Sequence, residues 1–217
     1  MLTSLKSRLT TKLTRQRLAA FLEAHATDTL TLEVGAKNKP YRALFPNTIS
    51  GDIVRVAGLD AQLDAHTLPF ADASFAAILC TEVLEHCINP HQVMAEFYRV
   101  LKPGGKLILT TRFIFPIHDA PHDYFRFTKY GLQQLCRHFS QVNIIEEAAT
   151  METVGILMQR LAYQADYKLP LVKLFLHLLA RLLVRSRWLI KAEYGDIRKA
   201  EPEHGIMASG YYVVAVR

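Results

Sequence analysis

The chain has 217 residues, half of them hydrophobic, so it is long enough for one α/β domain with an appendage and too short for two full domains. Its three cysteines, Cys80, Cys87 and Cys136, have the spacing of neither a disulfide framework nor a zinc site, which argues against a disulfide-rich secreted protein. The net charge of +6 lies on leucine-rich segments without a recognised nucleic-acid motif, so we expect no nucleic-acid partner.

The hydrophobic pattern first predicts a basic amphipathic helix, because leucines recur at helical spacing within residues 1–28. Strand and helix patterns then alternate along the chain. Strands are predicted at 29–34, 48–53, 76–81, 106–111, 142–147 and 211–216, and helices at 41–45, 90–100 and 129–138. This alternation, with short apolar runs for the strands, indicates an α/β fold with a mostly parallel sheet and helices on both faces.

These elements predict a single domain over residues 1–217 with four parts. The parts are an N-terminal amphipathic helix (1–28), a cofactor-binding core (29–149), a helical insertion (150–205) and a terminal strand (206–217). The insertion separates the last two strands, where a hairpin connection would be enough. Function-specific parts of a shared scaffold tend to lie in such insertions.

One segment of the insertion, 168–190, is rich in Leu, Val and Phe but carries Lys173, His177, Arg181 and Arg185 at every fourth position. That spacing places the four on one narrow helical face, with a wide apolar face opposite. We do not expect a membrane-spanning helix, since three formal charges would lie within the hydrophobic stretch. Two interpretations stay open: a lid packed on the core, or a helix in a membrane interface with its cations toward anionic headgroups.

The charge is unevenly distributed. Residues 1–17 carry five cations and no acid, residues 160–191 carry seven cations and one acid, and the remainder has a net charge of −5. A negatively charged partner would meet the two basic segments first. The basic N-terminus has no continuous apolar core like that of a secretory signal. We therefore expect a cytoplasmic protein, or one peripheral to the inner face of the membrane through its basic amphipathic helices.

Five short segments follow one another in order: LEVG at 32–35, SGDI at 50–53, DAHTLPF at 64–70, SFAAILCTEVLEH at 74–86 and RVLKPGGKLIL at 99–109. Each is weak evidence alone, but their order is specific. Together they resemble the class I S-adenosylmethionine-dependent methyltransferases, especially the small branch that includes quinone-biosynthesis enzymes. The resemblance covers about residues 29–146 and the last strand, and it implies a Rossmann-like fold with a seven-stranded sheet.

A methyl donor of this kind would bind at the carboxyl ends of the parallel strands, near the point where the strand order reverses. Gly35 follows the first strand and allows the backbone to approach a ligand closely. Asp52 follows an apolar strand, and its carboxylate can accept hydrogen bonds from both ribose hydroxyls. Asp60 is the rival for that role, but it lies only four residues before Asp64, which leaves too little chain for the next crossover.

The resemblance implies further contacts with the donor. Glu33 helps to order the loop around the amino-acid tail, Asp64 and Ala65 hold the adenine, and Thr81 lies with Glu82 where the methionine portion and the acceptor meet. The predicted site for S-adenosylmethionine thus consists of Glu33, Gly35, Asp52, Asp64, Ala65 and Thr81. The chain departs from the family's usual pattern at Ala76, where Asp is common, and after Gly35, where two more glycines often follow.

The segment 118–128 (HDAPHDYFRFT) is dense in groups capable of chemistry, and it resembles a signature of some small bacterial methyltransferases, several of them associated with cell-surface glycan pathways. We predict catalytic roles for His118, His122, Asp123 and Arg126. Either His122 is the base, with Asp123 holding its tautomer, or His118 is; Arg126 would bind an anionic acceptor. In a structural alternative, Asp123 pairs with Arg126 and Thr128 caps the next helix. Metal binding by His118, His122 and Asp123 is another alternative, but we expect no metal.

The sequence therefore predicts an enzyme that transfers a methyl group from S-adenosylmethionine to a small-molecule, glycan-linked or lipid-linked acceptor. Oxygen is the favoured acceptor atom, because the histidine-rich loop offers a base. Two other functions stay open: a quinone-type ring methyltransferase at the membrane surface, and a non-catalytic nucleotide-binding module. The oligomeric state stays open as well.

Overall fold

The computed structural model describes residues 11–37 and 41–217. Residues 1–10 of the predicted N-terminal helix lie outside the described residues, and helix α1 spans Leu13–Glu23. The described chain divides into two compact units. The helical unit comprises residues 11–19, 114–116 and 146–209, and the sheet unit comprises the other described residues.

The described residues form one seven-stranded sheet. Its strands in chain order are β1 Thr31–Val34, β2 Thr48–Asp52, β3 Ala61–Gln62, β4 Phe75–Thr81, β5 Leu101–Arg112, β6 Gln141–Glu146 and β7 Gly210–Val216. Across the sheet the order is β3-β2-β1-β4-β5-β7-β6, and β7 runs antiparallel to β5. This order confirms the predicted Rossmann-like fold with a mostly parallel sheet.

The strands at the centre of the sheet are buried along most of their length. Leu32, Ile78, Leu79, Leu107 and Ile108 are at most 1% exposed. Parallel strands covered on both faces bury successive side chains, which explains why their sequences are short apolar runs instead of alternating patterns.

The strand order reverses between β1 and β4. Val34 at the end of β1 is in register with Gly51 of β2 and with Cys80 of β4, and all three strands are parallel. Their carboxyl ends therefore lie side by side at one rim of the sheet. Open α/β sheets bind ligands at such a rim.

The helices of the sheet unit largely follow the sequence. Helix α2 spans Pro90–Val100 as predicted, and Asn89 caps it by accepting a hydrogen bond from the Gln92 amide at 3.2 Å. Helix α3 spans Lys129–Leu135 and is capped by Thr128. The helix predicted at 41–45 is wrong: Tyr41–Leu44 are turns, because Pro46 disfavours helical conformation in the residue before it.

The helical unit contains two long helices, which confirm the predicted insertion before the last strand. They are α4 Thr150–Gln164 and α5 Pro170–Arg185, followed by a 3-10 turn at Arg187–Leu189. Arg17 of α1 forms an ion pair with Glu152 of α4 and donates to the carbonyl of Glu147. None of the helices among the described residues has the length and apolar character needed to cross a bilayer.

Close packing of α4 against α5 depends on Gly155. A Cβ atom at this position would lie 2.8 Å from the Ala180 carbonyl oxygen and 3.0 Å from Cγ2 of Val184. The first contact is with backbone, so relief requires a shift of the helix itself. Overpacking of this kind typically costs about 1–3 kcal/mol.

We therefore expect Gly155→Ala to lower the free energy of unfolding by about 1–3 kcal/mol, measured by urea denaturation. Gly131→Ala in α3 is the matched control, since its added Cβ would meet Thr128 Oγ1 at 3.4 Å. The control should be neutral or stabilising by up to about 1 kcal/mol, because alanine is the better helix former. Equal destabilisation by both changes would contradict this account of the packing.

Candidate active site

A cavity of about 530 Å³ opens at the rim where β1, β2 and β4 end. Its lining includes four of the six predicted donor contacts, Gly35, Asp52, Asp64 and Ala65. From the histidine-rich loop, His122 also lines it. Glu33 and Thr81 lie within strands β1 and β4 and are not among the lining residues, whereas the neighbouring Val34 and Glu82 are.

Gly35 makes a turn that leaves this rim accessible. Its φ is +76°, a conformation that side chains rarely adopt, and an added Cβ would lie 2.2 Å from Cγ2 of Val83. The amides of Gly35 and Ala36 both donate to the carbonyl of Gly51, at 2.9 and 3.1 Å. The first strand thus turns sharply where the cavity begins, and a larger residue would obstruct it.

The structure shows different environments for Asp52 and Asp60, the two aspartates considered for binding the ribose hydroxyls. Asp60 accepts hydrogen bonds from the amide and hydroxyl of Ser50, at 2.9 and 2.5 Å from its Oδ2 atom, so it holds the loop after β2. Asp52 is the last residue of β2 and lines the cavity; its Oδ1 accepts from the Val54 amide at 3.0 Å. The carboxylate can still accept hydrogen bonds from ligand hydroxyls, because each of its oxygens has two lone pairs.

Asp64 is oriented by His66, a residue that the sequence analysis did not select. Oδ1 of Asp64 accepts from the His66 amide at 2.9 Å and lies 2.6 Å from Nδ1 of that ring. Nε2 of His66 accepts from the Asn89 amide at 3.2 Å, so Nδ1 carries the proton and donates to Asp64. These contacts, chiefly the backbone hydrogen bond, lower the pKa of Asp64.

Glu82 follows β4 with a φ of +58° and lines the cavity. Its carboxylate accepts from the Thr110 hydroxyl at 3.1 Å and forms an ion pair with Arg112, which is buried. Two neighbouring β5 residues therefore hold Glu82 in a backbone conformation that costs energy. A side chain held in this way at a cavity wall is a candidate for contacting the donor or the acceptor.

The loop residue His122 has a different partner from the one predicted. Nδ1 of His122 lies 2.9 Å from the Tyr124 hydroxyl, and the carbonyl of His122 accepts from Nδ1 of His86 at 2.7 Å. The prediction that Asp123 holds the tautomer of His122 is therefore wrong in this structure. With Nδ1 engaged, Nε2 of His122 is the nitrogen that can act on an acceptor.

Asp123 instead forms hydrogen bonds within the loop. It pairs with Arg126 through two hydrogen bonds, at 2.7 and 2.5 Å, and accepts from the amide of His118 at 2.9 Å. The Arg126 guanidinium lowers the pKa of Asp123 to about 2. Two elements of the structural alternative are thus present, this pair and the Thr128 cap. His118, Asp123 and Arg126 are not among the residues that line the cavity.

Glu85 is a buried carboxylate next to this cluster. Its Oε2 accepts from the Thr111 hydroxyl at 2.7 Å, its Oε1 lies 3.8 Å from Nε2 of His118, and burial raises its pKa. Donor atoms of Glu85, His86 and His118 lie within 4.8 Å of one another, a group other than the one considered for a metal. We assign no ion to it, because nearby arginine side chains oppose added positive charge.

The lowered pKa of Asp123 predicts an acid-dependent stability. The ion pair adds to the free energy of unfolding above the carboxyl's ordinary pKa of 3.8, and this contribution is lost as the pH falls through about 2. Between about pH 5 and about pH 3, the free energy of unfolding should fall more steeply for the wild type than for Asp123→Asn. Urea denaturation gives both slopes, with the exposed Asp28→Asn as a control that keeps the wild-type slope. Equal slopes for wild type and Asp123→Asn would contradict the assignment.

Comparison with known proteins agrees with this geometry. A family model described as a methyltransferase domain matches residues 42–109. The chain is 46% identical over 52 residues to a ubiquinone/menaquinone biosynthesis C-methyltransferase of Desulfotalea psychrophila, covering 24% of this chain and 21% of that one. It is 38% identical over 78 residues to the demethylmenaquinone methyltransferase of Renibacterium salmoninarum, covering 36% and 26%. The chain therefore spans less than a third of the length of these curated relatives.

Solved structures show the same fold over nearly the whole chain. An S-adenosylmethionine-dependent methyltransferase from Thermotoga maritima superposes with a TM-score of 0.59 at 14% identity, covering 99% of this chain and 95% of that one. One from Archaeoglobus fulgidus gives a TM-score of 0.58 at 13% identity, covering 94% and 93%. The sequence motifs, the family model and the sheet order agree: residues 42–109 match a methyltransferase domain, and the chain has the fold of S-adenosylmethionine-dependent methyltransferases.

Proposed function

We propose that this protein transfers the methyl group of S-adenosylmethionine to a hydroxyl of a small-molecule, glycan-linked or lipid-linked acceptor. The observation that carries the proposal is one cavity lined both by Gly35, Asp52 and Asp64 and by His122. Its volume of about 530 Å³ falls in the range typical of small-molecule sites. Groups suited to holding the donor and a group suited to taking a proton thus line one cavity.

The rim of the sheet would hold the donor. The Asp52 carboxylate is placed to accept from the ribose hydroxyls, and the oriented carboxylate of Asp64, with the amide of Ala65, is suited to the adenine edge. Gly35 leaves room for the amino-acid tail to approach the backbone. When bound, the donor supplies an electrophilic methyl carbon on a sulfonium, which needs no further activation by the protein.

The loop would prepare the acceptor. Nε2 of His122 takes the proton from the acceptor hydroxyl as its oxygen bonds to the methyl carbon and the carbon–sulfur bond breaks, with the electron pair going to sulfur. The contact of its Nδ1 with the Tyr124 hydroxyl holds the His122 ring, and the hydrogen bond that its carbonyl accepts from His86 Nδ1 holds its backbone before the reaction. Positioning of this kind, together with a base, is what such a transfer requires from the enzyme.

Methylation of a quinone-type ring carbon is the second candidate function. The relatives from Desulfotalea psychrophila and Renibacterium salmoninarum favour it by their names, although each aligns with only part of this chain. Incubating cell extract with donor labelled in its methyl group, then separating lipids, glycans, protein and small molecules, would distinguish the two. Label in a glycan or glycolipid hydroxyl supports the first candidate, and label in a quinone ring supports the second.

We also propose a cellular location for the protein. We place the protein on the cytoplasmic side of a membrane, in peripheral contact with it through the basic helical segment. The net charge of +6 over residues 160–191 supports this placement.

Calorimetric titration with S-adenosylmethionine tests the donor site. Asp52→Ala should weaken donor binding by about tenfold to a hundredfold, because it removes a charge-assisted hydrogen-bond acceptor. Asp28→Ala, which removes an exposed carboxylate elsewhere in the sheet unit, should bind as the wild type does. Absence of binding by the wild type at millimolar donor would instead favour a non-catalytic nucleotide-binding module.

The role of His122 is tested by separating binding from turnover. His122→Ala should lower kcat by about 10²- to 10⁴-fold, because it removes the base, and should leave the donor Kd unchanged. His91→Ala, which removes an exposed histidine of α2, should change neither value. A His122→Ala enzyme with full kcat, or one with unchanged kcat and weakened donor binding, would contradict the assignment.

A further inference from the structure

Helix α5 presents its apolar face to solvent. Leu171, Leu174, Phe175, Leu178 and Leu182 recur at helical spacing on one side, and between 48% and 75% of each is exposed. A helix that served only to cover a core would turn this face inward. The side chains of this face are therefore accessible to a further partner.

The opposite face of α5 is anchored within the helical unit. His177 and Ala180 are buried, the His177 ring packs edge-on against Tyr163 at 5.1 Å, and Arg181 donates to the Thr11 carbonyl at 2.9 Å. Burial lowers the pKa of His177, which favours the neutral ring at this interface. His177, Ala180 and Arg181 thus fix the helix against α4 and the segment before α1, and this leaves the leucine-rich face outward.

The exposed apolar surface continues beyond both ends of the helix. Leu169 precedes α5 and is 68% exposed, while Trp188 and Leu189 in the following turn are 76% and 59% exposed. Exposed cations flank the same stretch; they are Lys168, Lys173, Arg185, Arg187 and Lys191. Aliphatic and indole side chains bordered by lysine and arginine are typical of helices that lie in a bilayer interface.

We propose that this apolar face docks on an anionic lipid bilayer. The leucines, Phe175 and Trp188 would enter the boundary between headgroups and acyl chains, and the flanking cations would contact negatively charged headgroups. Charge complementarity selects this occupant, because the segment that carries the face has a net charge of +6. At 16 residues, α5 is suited to lying along the surface.

Docking on a bilayer would affect which acceptor molecules the protein meets. A protein held on the bilayer by its insertion meets hydrophobic or lipid-linked molecules at high local concentration, which favours a lipid-borne hydroxyl over a freely soluble one. That consequence rests on the proposed methyl transfer, whereas the docking itself does not. Vesicle binding is measured without methyl donor, so failure of one proposal is distinguishable from failure of the other.

Vesicle sedimentation with the full chain tests the docking. Binding to phosphatidylcholine vesicles that contain phosphatidylglycerol should exceed binding to pure phosphatidylcholine, and added salt should weaken it. Leu171→Gln/Phe175→Gln should weaken binding at least about tenfold, because two exposed apolar side chains no longer enter the bilayer. Arg185→Gln/Arg187→Gln should weaken it about fivefold for each cation at low salt.

Matched controls keep the test interpretable. Ile145→Gln/Ile197→Gln removes two other exposed aliphatic side chains, and Arg42→Gln/Arg137→Gln removes two exposed cations of the sheet unit; both should bind as the wild type does. Equal binding by the wild type and the Leu171/Phe175 variant, or equal binding to neutral and anionic vesicles, would overturn the proposal. The proposal would also be overturned if the wild type formed a dimer in solution and did not bind vesicles, and the Leu171/Phe175 variant did not dimerise.

Discussion

The parallel register of three neighbouring strands is the constraint on which the site depends. Pairing of β1 with β2 and with β4 brings Gly35, Asp52 and Glu82 to one rim, although they are far apart along the chain. Gly35 then turns the backbone away in a conformation that few other residues adopt. A one-residue slip of one of these strands would turn its side chains to the opposite face of the sheet and displace its group from the rim. The buried aliphatic residues of the central strands prevent that slip. The packing that stabilises the core therefore also positions the residues of the site.

The strands, and four of the residues that line the cavity, could be predicted from the sequence because their signals are local. Short apolar runs marked the central strands, and α2 spans the range 90–100 that the sequence pattern predicted. The choice of Asp52 over Asp60 also followed from chain length alone, and the hydrogen bonds of Asp60 to Ser50 agree with it. The two-residue strand β3 was missed, since so short a run carries no periodicity.

Pairings within the loop could not be predicted in the same way. The sequence showed that His122, Asp123 and Arg126 lie close together, but neighbours along a loop do not determine which side chains meet. Asp123 is taken by Arg126 and the His118 amide, so the partner of His122 is Tyr124. The orientation of α5 was unpredictable for a related reason. A helical pattern defines two faces, and tertiary contacts such as the packing at Gly155 and the contact of Arg181 with Thr11 determine which one is buried.

The central claim is that the carboxylates at the rim hold the methyl donor. A crystal structure of the protein with S-adenosylhomocysteine tests it most directly, because the product keeps the adenosine and amino-acid parts of the donor. The account predicts the ribose hydroxyls at the Asp52 carboxylate, the adenine edge at Asp64 and Ala65, and the sulfur on the side of the cavity toward His122. A ligand bound elsewhere, or a filled cavity with Asp52 and Asp64 turned away from the ligand, would contradict it.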